Sequence, residues 1–185
     1  MSRALLPFLL LSQAGAGTVE LLPRLYSDGV FRSAEKVPDA QVPRGSQGVK
    51  LLPGGYGGEW FLTLGGPKGT VSAHLSYLGT GIGLAQNVAP VAKLSGRVGA
   101  TLASACFGTG TDRLSALRAW VEEKVRAGGQ DDLNVERTFG PLRVQVLTQH
   151  THASDMLPAG QAELDVILTR TGTPGSATRP DTCRL

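Results

Sequence analysis

His150, His152 and Asp155 stand close together in the C-terminal third of the chain. On an extended backbone the two imidazoles face one side and the carboxylate is near enough to join them. The trio therefore has the donor types for zinc or another divalent ion with an open coordination position, the equipment of a small metal-dependent hydrolase. The remaining signals for metal are missing. The one further histidine is His74, neither an H-E-x-x-H nor a paired C-x-x-C spacing occurs, and loop histidines are ordinarily solvated. No cofactor is the favoured expectation, with the divalent metal as its alternative.

The two cysteines, Cys106 and Cys183, are the other reactive pair. A nucleophilic Cys106 lacks an evident neighbouring base and is flanked by apolar Ala105 and Phe107, so catalysis there is disfavoured. In an oxidising compartment an even pair is more often a disulfide. That bond would tie the C-terminal tail to the residues just ahead of the helix at 111–129 and contribute about 4 kcal/mol in the chain-entropy model.

Residues 79–83, GTGIG, follow a strand pattern and lead toward a helix. Glycines at such a turn let a phosphate or nucleoside approach the backbone, and the stretch resembles the glycine-rich turn of nucleotide-binding and methyltransferase folds. The resemblance implies a cytosolic nucleotide-binding protein, but it covers only these few residues. The spacing is not G-x-G-x-x-G and no acidic residue lies about 20 positions onward. Lys68, Gly69 and Thr70 are not in the order that a P-loop needs. No serine sits in G-x-S-x-G. Glu59, Glu136, Glu163 and Asp165 are strand carboxylates of the kind that pair in glycosidases, though outward carboxylates are the default wet face of a sheet. Trp60 and Tyr56, beside a glycine-rich loop, are candidates for stacking on a sugar or peptide; a tryptophan on an apolar strand is more often core.

Residues 1–16, MSRALLPFLLLSQAGA, have the layout of a secretory signal: a basic start at Arg3, an apolar run over 4–11, then Ala14 and Ala16 two apart. Cleavage is expected after Ala16, and the apolar run is shorter than the roughly 20 residues that span a bilayer. A secreted or periplasmic location follows, with no transmembrane segment in the mature chain. Of the 185 residues 41% are hydrophobic and 18% charged, which describes a folded domain. The net charge of +3 is scattered along the chain, so no nucleic-acid partner is expected.

Positioning any of these groups falls to the elements around them. Leu114, Leu117, Val121 and Val125 repeat at helical spacing with Trp120 beside them. They mark an amphipathic helix at 111–129, with Thr111 as its cap, Asp112 and Lys124 with Arg126 matching the dipole, and Gly128 and Gly129 as its stop. Val91, Leu94, Val98, Leu102 and Cys106 mark a second helix up to 106, weakened by Pro90, Gly96 and Gly99. A buried strand is the alternative there. Alternation predicts strands at 59–64 and 70–78, joined by GGPKG, and at 133–139, 142–149 and 162–171, the first two of these turning at Gly140 and Pro141. The expected fold is α+β, an antiparallel sheet with a helical hairpin packed on one face. The expected organisation is a signal over 1–16, an irregular Pro/Gly-rich segment over 17–58, the α+β domain over 59–171 and a flexible tail over 172–185. For such a chain the sequence favours an exported, non-catalytic binding or structural protein.

Overall fold

The computed structural model describes residues 19–27, 31–53, 58–65, 70–150, 160–171 and 183–185. Seven antiparallel strands make one sheet: β2 (Phe31–Lys36), β3 (Gln47–Pro53), β4 (Glu59–Gly65), β5 (Thr70–Thr80), β6 (Leu133–Phe139), β7 (Leu142–His150) and β8 (Gln161–Thr171). Their spatial order is β2-β3-β4-β5-β8-β7-β6. The first four form a meander. The helices α2 (Gly81–Phe107) and α3 (Thr111–Ala127) then carry the chain across one face to the far edge, and β6, β7 and β8 step back until β8 pairs with β5. The fold is thus the expected α+β sheet under a helical hairpin.

Alternation decides which face is greasy. Ala73, Leu75 and Tyr77 of β5 lie opposite Leu168, Val166 and Leu164 of β8, and all six are buried. Trp60 and Leu62 extend that layer on one side, Val144 and Val146 on the other. Onto it α2 sets Val91, Leu94, Val98 and Leu102, while α3 sets Leu117, Trp120, Val121 and Val125. Each fully buried aliphatic side chain contributes about 1.5–3 kcal/mol relative to exposure, so this layer outweighs any local helix or strand preference.

The helical alternative for 88–107 is the one adopted, and α2 begins earlier than the spacing predicts. Pro90 has no N–H for the carbonyl four residues back and crowds it, and the helix breaks nearby at Asn87 (φ −111°, ψ 15°). Gly96 has a packing role: a Cβ there would lie 2.5 Å from Glu122 Cγ and 3.0 Å from the Arg118 carbonyl oxygen, so glycine lets α3 approach closely. At its far end α2 stops on Gly108 (φ 60°), whose N–H reaches the Ala103 carbonyl, and the Arg170 guanidinium donates to the Phe107 carbonyl at 2.8 Å.

Three expectations need correction. Thr111 does not cap α3: Gly110 occupies the cap position, and no side chain bonds there. Gly128 ends α3 at φ −82° rather than in the left-handed region, its carbonyl being held instead by a histidine described below. The segment 17–58 is more regular than expected, because β2 and β3 continue the sheet beyond β4 and a short helix α1 (Leu22–Ser27) buries Leu25. Its prolines and glycines fall largely between these pieces. Gly140 does take the positive φ (63°) that its hairpin requires.

At the chain's described ends β1 (Val19–Glu20) runs parallel to β9 (Cys183–Arg184). Cys183 is joined to Cys106 on α2, with Cα atoms 5.4 Å apart. So residues 183–185, placed in the flexible tail by the sequence, are fastened to the core. Separating the bonded cysteines are 77 positions. Replacing both by serine is expected to lower unfolding free energy by about 4 kcal/mol, read as a shift in urea midpoint against the oxidised parent.

Candidate functional site

A cavity of about 350 Å³ opens where β5 gives way to α2, at the 79–83 stretch that the sequence singled out. Glu59, Tyr77, Leu78, Thr80, Asn87 and Gln161 line it, and among the described residues no lysine or arginine does. Four elements deliver these groups, with Glu59 opening β4. Tyr77 and Thr80 end β5, Gln161 opens β8 opposite Thr80, and Asn87 marks the break in α2.

Tyr77 is the central group. Its side chain is 1% exposed and packs on Trp60, with ring centroids 5.0 Å apart. A Cβ at Gly58 would come within 2.8 Å of its hydroxyl oxygen, and one at Gly79 within 2.7 Å of its Cζ. The ring therefore lies over two glycines on neighbouring strands, which lack the side chains that would lift it. Tyr77 is also one of the residues that line the cavity. Burial pushes the phenol pKa up, so it is neutral at physiological pH. Gly58 also has φ 94°, a conformation that glycine alone adopts cheaply.

Around Tyr77 the polar groups are partly used. Thr80 caps α2, its Oγ1 accepting from the Gly83 N–H at 2.9 Å. Asn87 Nδ2 donates to the Gly83 carbonyl at 2.9 Å, leaving Oδ1 as an acceptor. Glu59 pairs with Lys50 on the adjacent strand. The turn thus spends an N–H on its own cap where the nucleotide expectation needs it for phosphate, and it offers no cationic side chain. Comparison with protein-family models, curated proteins and solved structures finds no match to this chain.

Of the proposed metal trio, His150 alone is among the described residues. His150 Nε2 donates to the Gly128 carbonyl at 3.1 Å, and its backbone N–H donates to Asp132 Oδ1 at 2.7 Å. The histidine thus holds the C-terminal end of α3 onto β7. His152 and Asp155 lie outside the described residues, as do Tyr56 and residues 1–16. Trp60 is fully buried core rather than a stacking platform. Glu136 sits 3.8 Å from Arg143 on an exposed part of the sheet.

Sequence reasoning missed a second polar group, on the sheet face away from the helices. His74 Nε2 lies 2.8 Å from Asp165 Oδ1 and 3.1 Å from Ser76 Oγ. A serine–histidine–aspartate relay needs its carboxylate and its serine on opposite ring nitrogens. Here both contact the same one. With Nε2–H given to the carboxylate, Ser76 has no base at that nitrogen, and the group is a cross-strand pair that satisfies the buried Asp165. The signal was present as alternation: Ser72, His74 and Ser76 fall on one face of β5, but only the β5–β8 register put Asp165 beside them.

Glu163 lies on the same face. Its pKa is raised, first by burial and then by the Asp165 charge, with His74 opposing. A carboxyl whose folded pKa is raised keeps its proton longer in the native state, so it stabilises the fold at low pH and loses that contribution as pH rises through the raised value. Glu163→Gln is therefore expected to hold stability more level than the parent just above the ordinary glutamate range, seen as the difference between two stability–pH curves. Gly79→Ala must displace the buried Tyr77 ring and is expected to cost about 1–3 kcal/mol, measured by chemical unfolding.

Proposed function

We propose that the chain is an exported, non-catalytic binding protein, secreted or periplasmic, that holds a small molecule at the β5–α2 corner. The observation that carries this is the cavity itself, where Glu59, Tyr77, Thr80, Asn87 and Gln161 bring polar side chains from separate elements to one space. Acceptors and hydroxyls line it, and among the described residues around the same space no nucleophile stands beside a base. Export is supported by the signal-like layout of residues 1–16 and by the Cys106–Cys183 disulfide, which suits an oxidising compartment. Among the described residues no helix is long and apolar enough to cross a membrane.

Two measurements test the proposal. Protein recovered from its native host is expected to have an intact mass matching a chain that starts at Gly17, and to gain two hydrogens on reduction. Retention of residues 1–16 in a cytosolic protein overturns export. In ligand-observed NMR against a fragment library, the oxidised protein is expected to bind without turning ligands over. Zinc-dependent hydrolysis of a bound fragment overturns the non-catalytic role.

A further inference from the structure

We infer that the ligand of this cavity is small, uncharged and polyhydroxylated: a single sugar ring or a cyclic polyol of that size. The inference rests on the binding role proposed above and names its chemistry. Charge narrows the field first. Among its described lining residues the cavity offers an entering anion no cationic side chain, and the Gly83 N–H is already taken by Thr80. A cation meets Glu59, but Lys50 already neutralises that carboxylate, and a second positive group brings like charge beside the first. An uncharged ligand incurs neither penalty.

Hydrogen-bonding capacity then selects its groups. Tyr77 and Thr80 present hydroxyls; Asn87 Oδ1 and Glu59 present acceptors. Donors and acceptors are interleaved around one small space. A hydroxyl both donates and accepts, so a ring carrying several can satisfy such a set. Leu78 and the Tyr77 ring edge offer apolar surface to the C–H face of that ring. At about 350 Å³ the cavity lies at the small end of ligand pockets, which run from roughly 300 to 1,000 Å³. Tyr77, kept neutral by burial, can donate to a ring hydroxyl at any physiological pH.

The test uses the full mature chain, oxidised, in saturation-transfer NMR against three probe sets: monosaccharides with myo-inositol, inorganic phosphate with AMP, and putrescine. At least one sugar or inositol is expected to receive saturation. Its affinity should fall at least tenfold in Tyr77→Phe, which keeps the buried ring and loses only the hydroxyl. Should that variant fail to fold, Asn87→Ala supplies the same comparison from the other side of the cavity. Binding of phosphate, AMP or putrescine with the sugars silent overturns the uncharged class and leaves the binding role standing. Sugar binding undiminished in Tyr77→Phe and Asn87→Ala overturns the assignment to this cavity. Silence of all three probe sets overturns the inference, and silence of the fragment library as well overturns the binding role with it.

Discussion

The pairing of β5 with β8 is the constraint on which the rest of the molecule depends. It runs without a break from Thr70 opposite Thr171 to Thr80 opposite Gln161, joining the N-terminal meander to strands that the chain reaches only after two helices. Such a non-local ladder has a large loop-closure cost before any contact rewards it. What rewards it is the layer beneath α2, where Leu75 and Tyr77 meet Val166 and Leu164 in full burial. A slip by one residue would turn all of these to the wet face.

The same ladder sets both polar features. At its middle it places Asp165 across from Ser76 and within reach of His74, on the face that the helices leave bare. At its end it brings Gln161 to Thr80, beside the start of α2, and so closes one side of the cavity. Tyr77 packs on Trp60 in the core and also lines the cavity. The same side chain serves the core and the cavity wall, so the packing that stabilises this corner also sets the shape of the cavity.

Glycine has opposite meanings in different parts of this chain. In α2 the sequence counts Gly96 against a helix, by about 1 kcal/mol of propensity, whereas in the fold it admits α3 at close range. At 79–83 the glycines resemble a ligand-approach turn, yet Gly79 makes room for a protein side chain, Tyr77, rather than for phosphate. His150 likewise has a fastening role, since its Nε2 closes the carbonyl end of α3. In each case the residue type was read correctly as special, and its partner came from a distant part of the chain.

Local periodicity was enough to establish most of the architecture. The stripe through Leu117, Val121 and Val125, the alternation in 59–64, 70–78, 142–149 and 162–171, and the turn at Gly140 are all properties of neighbouring residues, and burial follows them. The pairing of Cys106 with Cys183 was open in the sequence, because spacing along a chain says nothing of distance across it; the fold brings their Cα atoms to 5.4 Å. Strand order, the closeness of α3 to α2, and the meeting of Tyr77, Asn87, Glu59 and Gln161 were likewise decided only by tertiary structure. They depend on contacts between segments far apart in the chain, and a one-dimensional pattern carries the faces of its elements but not which faces will touch.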